Sequence, residues 1–314
     1  MKHRRTNKLV CYKIKGYLKS ARLESILVSS TFLLLAEWYY SGDILIKITL
    51  LPLFSLSLLT TAGSWQNYVF DIEVDKKAGK NIDFFKYISP KEMLFSSILL
   101  VIAGTAILYY VSPIAFIIGV IESILFLTYS APPVRFKAHP FFDILANMLV
   151  FGTLPFLIGF TIIKNSIPIE VILLSLTLGL LAGSYYLFIS SFEIETDKKA
   201  GIKNTGAIFG FNKTINIAIF FFFTSLILYI LQYNISNIVI LAGYIITLPL
   251  VLFLKITKKI QIQLLIVSLI FLLWNGAVLL LLSLFTGSVL SISLFTLTFI
   301  ILVMVIYTYI VTKV

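Results

Sequence analysis

The sequence predicts an all-α integral membrane protein, a bundle of nine to ten transmembrane helices with a parallel internal repeat. Three observations predict it. Of 314 residues, 59% are hydrophobic and only 12% charged, where a soluble domain carries about 25% charged residues. The apolar residues gather in ten long runs, at 23–41, 44–70, 92–111, 113–129, 141–163, 169–191, 215–232, 235–254, 262–286 and 288–312. Each approaches the roughly 20 residues that a helix needs to cross a bilayer. The basic residues also segregate. If the N-terminus is cytoplasmic and all ten runs cross, 23 of the 25 Lys and Arg residues lie on the cytoplasmic side, with only Lys47 and Lys164 outside, as the positive-inside rule requires.

The runs are continuously apolar and lack the alternation of barrel strands, so they read as helices. Residues 1–22, with Lys2, Arg4, Arg5, Lys8, Lys13, Lys15 and Lys19, read as a basic cytoplasmic arm on the membrane surface. A targeting signal would begin its apolar stretch sooner. Near the end of the first run, Glu37 beside Trp38, Tyr39 and Tyr40 is expected at the outer interface. Loops 76–91 and 198–214 are expected to cap the cytoplasmic side of one domain spanning 1–314. Glu122 lies inside the fourth run; an acid at that depth is costly and usually faces a cavity, as a proton acceptor or acceptor-substrate ligand, unless it is a hydrogen-bonded structural group. The last two runs are split only by Gly287 and Ser288, which leaves the count at nine or ten. The net charge of +11 follows from this topology and from anionic membrane lipids as partners, without nucleic acid. One cysteine and two histidines exclude internal disulfides and Cys- or His-built metal sites.

The repeat lies where the chain is most polar. Phe70-Asp71-Ile72-Glu73-Val74-Asp75-Lys76-Lys77-Ala78-Gly79 matches Phe192-Glu193-Ile194-Glu195-Thr196-Asp197-Lys198-Lys199-Ala200-Gly201 at eight of ten positions. Four runs separate the copies, so both enter from the same face. Asn67, Asp71 and Asp75 are spaced by four, as are Glu193 and Asp197, and residues at i and i+4 share a helix face. Carboxylates so close at a membrane edge call for a cation between them. Hard oxygen ligands that leave room for phosphate oxygens suit Mg2+. Two opposed clusters of this kind can hold Mg2+ and a diphosphate, with Lys76, Lys77, Lys198, Lys199 and Lys203 at the same oxygens. The competing reading is a pair of solvated, salt-bridged loop ends; the duplication, the register and Asn67 one turn deeper weigh against it.

Asn67-x-x-x-Asp71-x-x-x-Asp75 and Glu193-x-x-x-Asp197 resemble the two aspartate-rich motifs of the UbiA superfamily of intramembrane prenyltransferases. Tyr129-Ser130-Ala131-Pro132-Pro133-Val134-Arg135-Phe136-Lys137, followed by Asp143 and Asn147, resembles a third family stretch, and Gly201-Ile202-Lys203-Asn204-Thr205 a fourth. Arg22 stands where the family usually has Arg-Pro, with Leu23 replacing the proline. The resemblance covers about residues 20–215. It implies a central cavity under a cytoplasmic cap and Mg2+-dependent transfer of a prenyl group from an allylic isoprenyl diphosphate to a lipophilic acceptor. It implies Asn67, Asp71, Asp75, Glu193 and Asp197 as metal ligands and Asp71, Asp75 and Asp197 as catalytic, with Glu122 a further catalytic candidate. Asn67, Tyr129, Arg135, Lys137, Lys76, Lys199, Lys203, Arg22 and Asn147 are implied as substrate-binding.

Two departures bear on the site: Tyr68 replaces the family's usual Asp, and Lys76-Lys77 stands in a loop that usually continues with Asn, Arg and Pro. Tyr68, Phe70 and Tyr129 are candidate aromatic partners for an allylic cation, although most aromatics here are expected to be packing. The Pro-Pro stretch looks nearest the carotenoid-elongating, or lycopene elongase, branch. A quinone precursor, a glyceryl phosphate lipid, a chlorophyll-type acceptor, haem and intramembrane terpene cyclisation stay open. So does a transporter, although transport sites tend to sit near the midplane.

Overall fold

A computed structural model of the chain describes residues 12–77, 82–233, 238–256, 260–287, 292–296 and 298. Among these there is no strand. A helix over 12–20 precedes α1 (Leu23–Ser41) and α2 (Ile46–Phe70). The short α3 (Ile72–Lys77) and a 3-10 turn (Asp83–Lys86) lead to α4 (Pro90–Val111) and α5 (Pro113–Ser130). Next come α6 (Phe142–Thr161), α7 (Ile169–Ser190), the short α8 (Ile194–Lys199) and α9 (Thr205–Phe209). The chain continues as α10 (Phe211–Tyr233), α11 (Ile238–Ile256) and α12 (Ile260–Thr286). Among the described residues, nine of the ten apolar runs are thus helices, and six helices are long and apolar enough to cross a membrane. The tenth run lies almost wholly outside the described residues, as do 1–11 of the basic arm and 78–81 of the first cap loop.

Local chemistry sets the helix ends. α1 stops at Gly42, whose φ of 76° returns its N–H to Trp38 O at 2.8 Å, a left-handed cap that costs glycine little. Ser89 and Ser112 cap α4 and α5 by accepting from Glu92 N–H (3.1 Å) and Ala115 N–H (2.9 Å). Each is followed by a proline, which gives up no bonded N–H at the first helical position. Glu37 lies four residues before the end of α1. It is fully buried, and its carboxylate accepts from Leu45 N–H at 2.6 Å and Thr49 Oγ1–H at 2.7 Å. The first N–H groups of α2 have no partner within the helix, and Glu37 folds back to satisfy one of them.

α1 runs through the middle of the bundle, and Phe32 to Ala36 are all fully buried. Phe32 stacks on Trp274 of α12 at 5.2 Å. On α6, a Cβ at Gly159 would lie 2.2 Å from the Leu33 carbonyl oxygen. Only glycine allows so close a backbone approach, as is common between membrane helices. The outer faces are apolar instead: Phe95, Leu99 and Ile102 of α4 are exposed. Such a face is a liability in water but ordinary in lipid. In α6 a π-helical stretch, Leu149–Thr153, interrupts the α-helix, and two of its residues, Val150 and Phe151, border the cavity described next.

Candidate active site

A cavity of about 520 Å3 opens between α1, α2, α5, α6, α7 and α12. Its two ends differ in chemistry. One is walled by Arg22, Asn67, Asp71, Asp75, Lys137, Glu193, Asp197 and Asn204, the other by Val28, Gly63, Phe126, Val150, Phe151, Ala182 and Leu272. The polar groups come from the ends of helices and the apolar ones from their interiors. The acids therefore sit at a membrane edge and the apolar end extends inward.

The four-residue spacing survives a break in each helix. Asp71 ends α2 with φ −107° and ψ 7°, yet its N–H still bonds Asn67 O (3.0 Å) and its own carbonyl accepts from Asp75 N–H (2.8 Å). In the second copy Asp197 N–H bonds Glu193 O at 2.8 Å. Both motifs thus turn two acids toward one space, and α3 and α8 lie in contact. Asp71 and Asp75 are only 4% and 5% exposed, so their charge must be answered from within the site.

Loop 131–141 answers it. Lys137 Nζ donates to Asp71 Oδ2 and to Asn67 Oδ1 at 3.4 Å, and Arg135 donates to Asp71 Oδ1 at 3.3 Å. Ser130 Oγ donates to Asn67 Oδ1 at 2.7 Å. Burial pushes the Lys137 ammonium below the usual lysine range, and the Asp71 charge opposes that shift. On the opposite wall Asn204 caps α9, accepting from Ala207 N–H at 2.8 Å, while its Nδ2 donates to Asp197 Oδ2 at 2.6 Å. The cap thereby fixes the second motif's acid.

Among the described residues no three acids converge into a protein-only metal cage. The donor set is instead two carboxylate groups on facing walls plus the Asn67 amide. Mg2+ fits it, because this ion usually takes one or two carboxylates and completes its shell with waters and substrate phosphates. The Lys137 ammonium against Asp71 marks where positive charge is required.

Of the residues singled out from sequence, Arg22, Asn67, Asp71, Asp75, Tyr129, Lys137, Asn147, Glu193 and Asp197 line the cavity, and Arg135 reaches it through Asp71. Lys76, Lys199 and Lys203 do not; all three are exposed, and Lys76 pairs with Glu73 at 3.5 Å. Successive helical residues are about 100° apart; with Asp75 and Asp197 facing inward, Lys76 and Lys199 turn away. Glu122 is fully buried in α5 but lines no part of the cavity, and neither carboxyl oxygen has a hydrogen-bond partner. Tyr68 and Phe70 also lie off the wall. Tyr68 packs edge-on against Phe84 at 5.1 Å and under the Arg22 guanidinium at 4.9 Å, so the Tyr-for-Asp departure bears on the cavity only through Arg22. Sequence reasoning missed Tyr186, which lines the wall beside Tyr129. It sits seven residues before Glu193, two helical turns deeper on a similar face, and that spacing was the available signal.

The UbiA prenyltransferase family model matches residues 25–275. The chain belongs to the UbiA prenyltransferase family. It is 29% identical over 150 residues to a lycopene elongase/hydratase of Haloarcula japonica, 47% of this chain and 50% of that protein. The chain thus spans about half the length of the curated relative it matches. A structure of a UbiA homologue from Archaeoglobus fulgidus bound to GPP and Mg2+ superposes with a TM-score of 0.68 at 22% identity, covering 85% of this chain and 99% of that one. The same homologue bound to DMAPP and Mg2+ gives 0.62 at 21% identity, covering 91% and 99%. These two likenesses establish the shared fold.

Proposed function

We propose that the protein transfers a prenyl group from an allylic isoprenyl diphosphate to a lipophilic acceptor inside the membrane, and that the acceptor is a long neutral polyene such as lycopene. The observation that carries the reading is the polarity of one cavity, with two facing acid motifs and Lys137 at one end and mainly apolar, uncharged side chains at the other. Asn67, Asp71, Asp75, Glu193 and Asp197 would hold Mg2+, which when bound neutralises the charge developing on the diphosphate as the allylic C–O bond breaks. Lys137 and Arg135 add fixed positive charge to the same oxygens, Lys137 as a buried point charge and Arg135 as a planar fork. Arg22 stands at that end too. The prenyl chain lies along Val28, Phe126, Val150, Phe151 and Leu272, where the apolar walls exclude water from the allylic cation. Tyr129 presents a ring to it.

The acceptor follows from where cations are missing. Among the described lining residues the only cations are Arg22 and Lys137, both at the acid end. A carboxylated aromatic acceptor would find no counter-charge deeper in, whereas a polyene needs none. A cavity of about 520 Å3 admits the end of such a chain while its length stays in the bilayer. The Haloarcula japonica relative, a lycopene elongase/hydratase, agrees with this.

The basic loops orient the site toward the cytoplasm of a multi-pass cell-membrane protein with nine or ten crossings. One domain over 1–314 includes the cap loops 76–91 and 198–214, and the two motif halves form a parallel repeat. Co-expression with a lycopene-forming pathway should convert lycopene to pigments carrying added five-carbon units. Unchanged lycopene, with efficient prenylation of hydroxybenzoate or of a glyceryl phosphate lipid by the same membranes, would reassign the acceptor.

A further inference from the structure

Behind the cavity wall runs a hydrogen-bonded chain that metal and diphosphate binding do not use. Asn147 Nδ2 donates to Tyr129 Oη at 3.0 Å and to Asp143 O at 2.8 Å. Tyr186 Oη donates to Asp143 Oδ2 at 3.1 Å. Asp143 also accepts from Thr205 N–H (3.0 Å) and Thr205 Oγ1–H (2.6 Å). A phenol has a single proton; Tyr186 gives its own to Asp143, while Tyr129 accepts from Asn147. Both phenols line the cavity, whereas Asp143 is fully buried and does not. Tyr186 is thus the link between the cavity wall and that carboxylate.

We propose that Tyr186, on the cavity wall, and Asp143 behind it carry away the proton that prenyl transfer releases; this rests on the transferase reading above. Whatever the carbon acceptor, the balance requires such an exit. The allylic C–O bond breaks and its electron pair leaves with the diphosphate. The acceptor's π pair forms the new C–C bond and leaves a cation on the acceptor. The C–H pair next to that cation becomes a double bond, and its proton must go to a base. The proton binds Tyr186 Oη as the Tyr186 proton passes to Asp143 Oδ2. The phenol ends as it began, and Asp143 holds one proton until the step runs back and water removes it from the open cavity. Glu122, the other buried acid of this region, is off the wall and joined to nothing that reaches it. Tyr186 therefore faces the reacting centre, and Asp143 acts through it as a positioning and relay group.

The test uses full-length protein with DMAPP, Mg2+ and lycopene. Tyr186→Phe removes one hydroxyl and keeps the ring. It should lower kcat about tenfold or more, within the range attributed to positioned proton transfer, and leave the KM for DMAPP within about twofold. A cation that cannot lose its proton survives to take up water, so the ratio of hydrated to eliminated coupled product should rise by a similar factor. Asp143→Asn should do the same if it inserts; because Asp143 also anchors Thr205, Tyr186→Phe decides the matter. Unchanged kcat and product ratio in Tyr186→Phe would overturn the relay and leave the departing diphosphate as the base. So would a loss expressed in KM alone. A wild type that releases no diphosphate would overturn the transferase reading itself, and the relay with it.

Discussion

Asp71→Asn is expected to lower metal-dependent diphosphate release by about a hundred- to a thousandfold, the cost of removing one group that stabilises developing charge. The amide keeps the shape of the side chain and loses only its charge, so the protein should still insert and fold. The consequence is specific, because Asp71 is buried and answers both Lys137 and Arg135. Without it two cations face the cavity unopposed, and the anionic donor should bind at least as well as before. The loss should therefore appear in kcat, not as a raised KM. Asp197→Asn should behave alike, since Asn204 holds it on the facing wall. If the motifs work as one unit, the double variant should lose little more than either single one. Near-normal turnover in both single variants would reduce the motifs to surface charge.

Lys137→Ala is expected to cost about 1.5–3 kcal/mol of transition-state stabilisation, the usual worth of a hydrogen bond to a charged group, read as roughly a ten- to a hundredfold fall in kcat/KM. The side chain is 12% exposed and bridges Asn67 and Asp71. It is the lysine of the site whose charge water cannot screen. Lys199→Ala and Lys203→Ala, at exposed positions, should each change kcat/KM by less than about twofold, as screened surface charges do. The reverse order of effects would return diphosphate binding to the cap-loop lysines.

Much of the architecture is legible in composition and spacing, because lipid leaves the backbone few options and apolar length marks each helix. The i,i+4 register of the acids carried furthest. It survives the break at Asp71 because the backbone hydrogen bonds continue through it. The same helical geometry read one residue further would have excluded Lys76. The partner of Glu37 was hidden for a different reason. Its aromatic neighbours suggest an interface, but its partner is the unsatisfied start of the next helix, which only the turn at Gly42 brings near. The π-helical stretch at Leu149–Thr153 has no signal in a single sequence, yet it shapes the wall at Val150 and Phe151. The partnership of Asp143 with Thr205 spans 62 residues and arises only when α6 meets the second cap.

Reconstitution of the purified protein into vesicles with DMAPP and lycopene, with diphosphate and pigment measured together, tests the central claim most directly. The account predicts diphosphate release that requires Mg2+, stops on chelation and is matched by a pigment one five-carbon unit heavier. Mg2+-independent release, or no release from any allylic diphosphate in a correctly folded preparation, would contradict it.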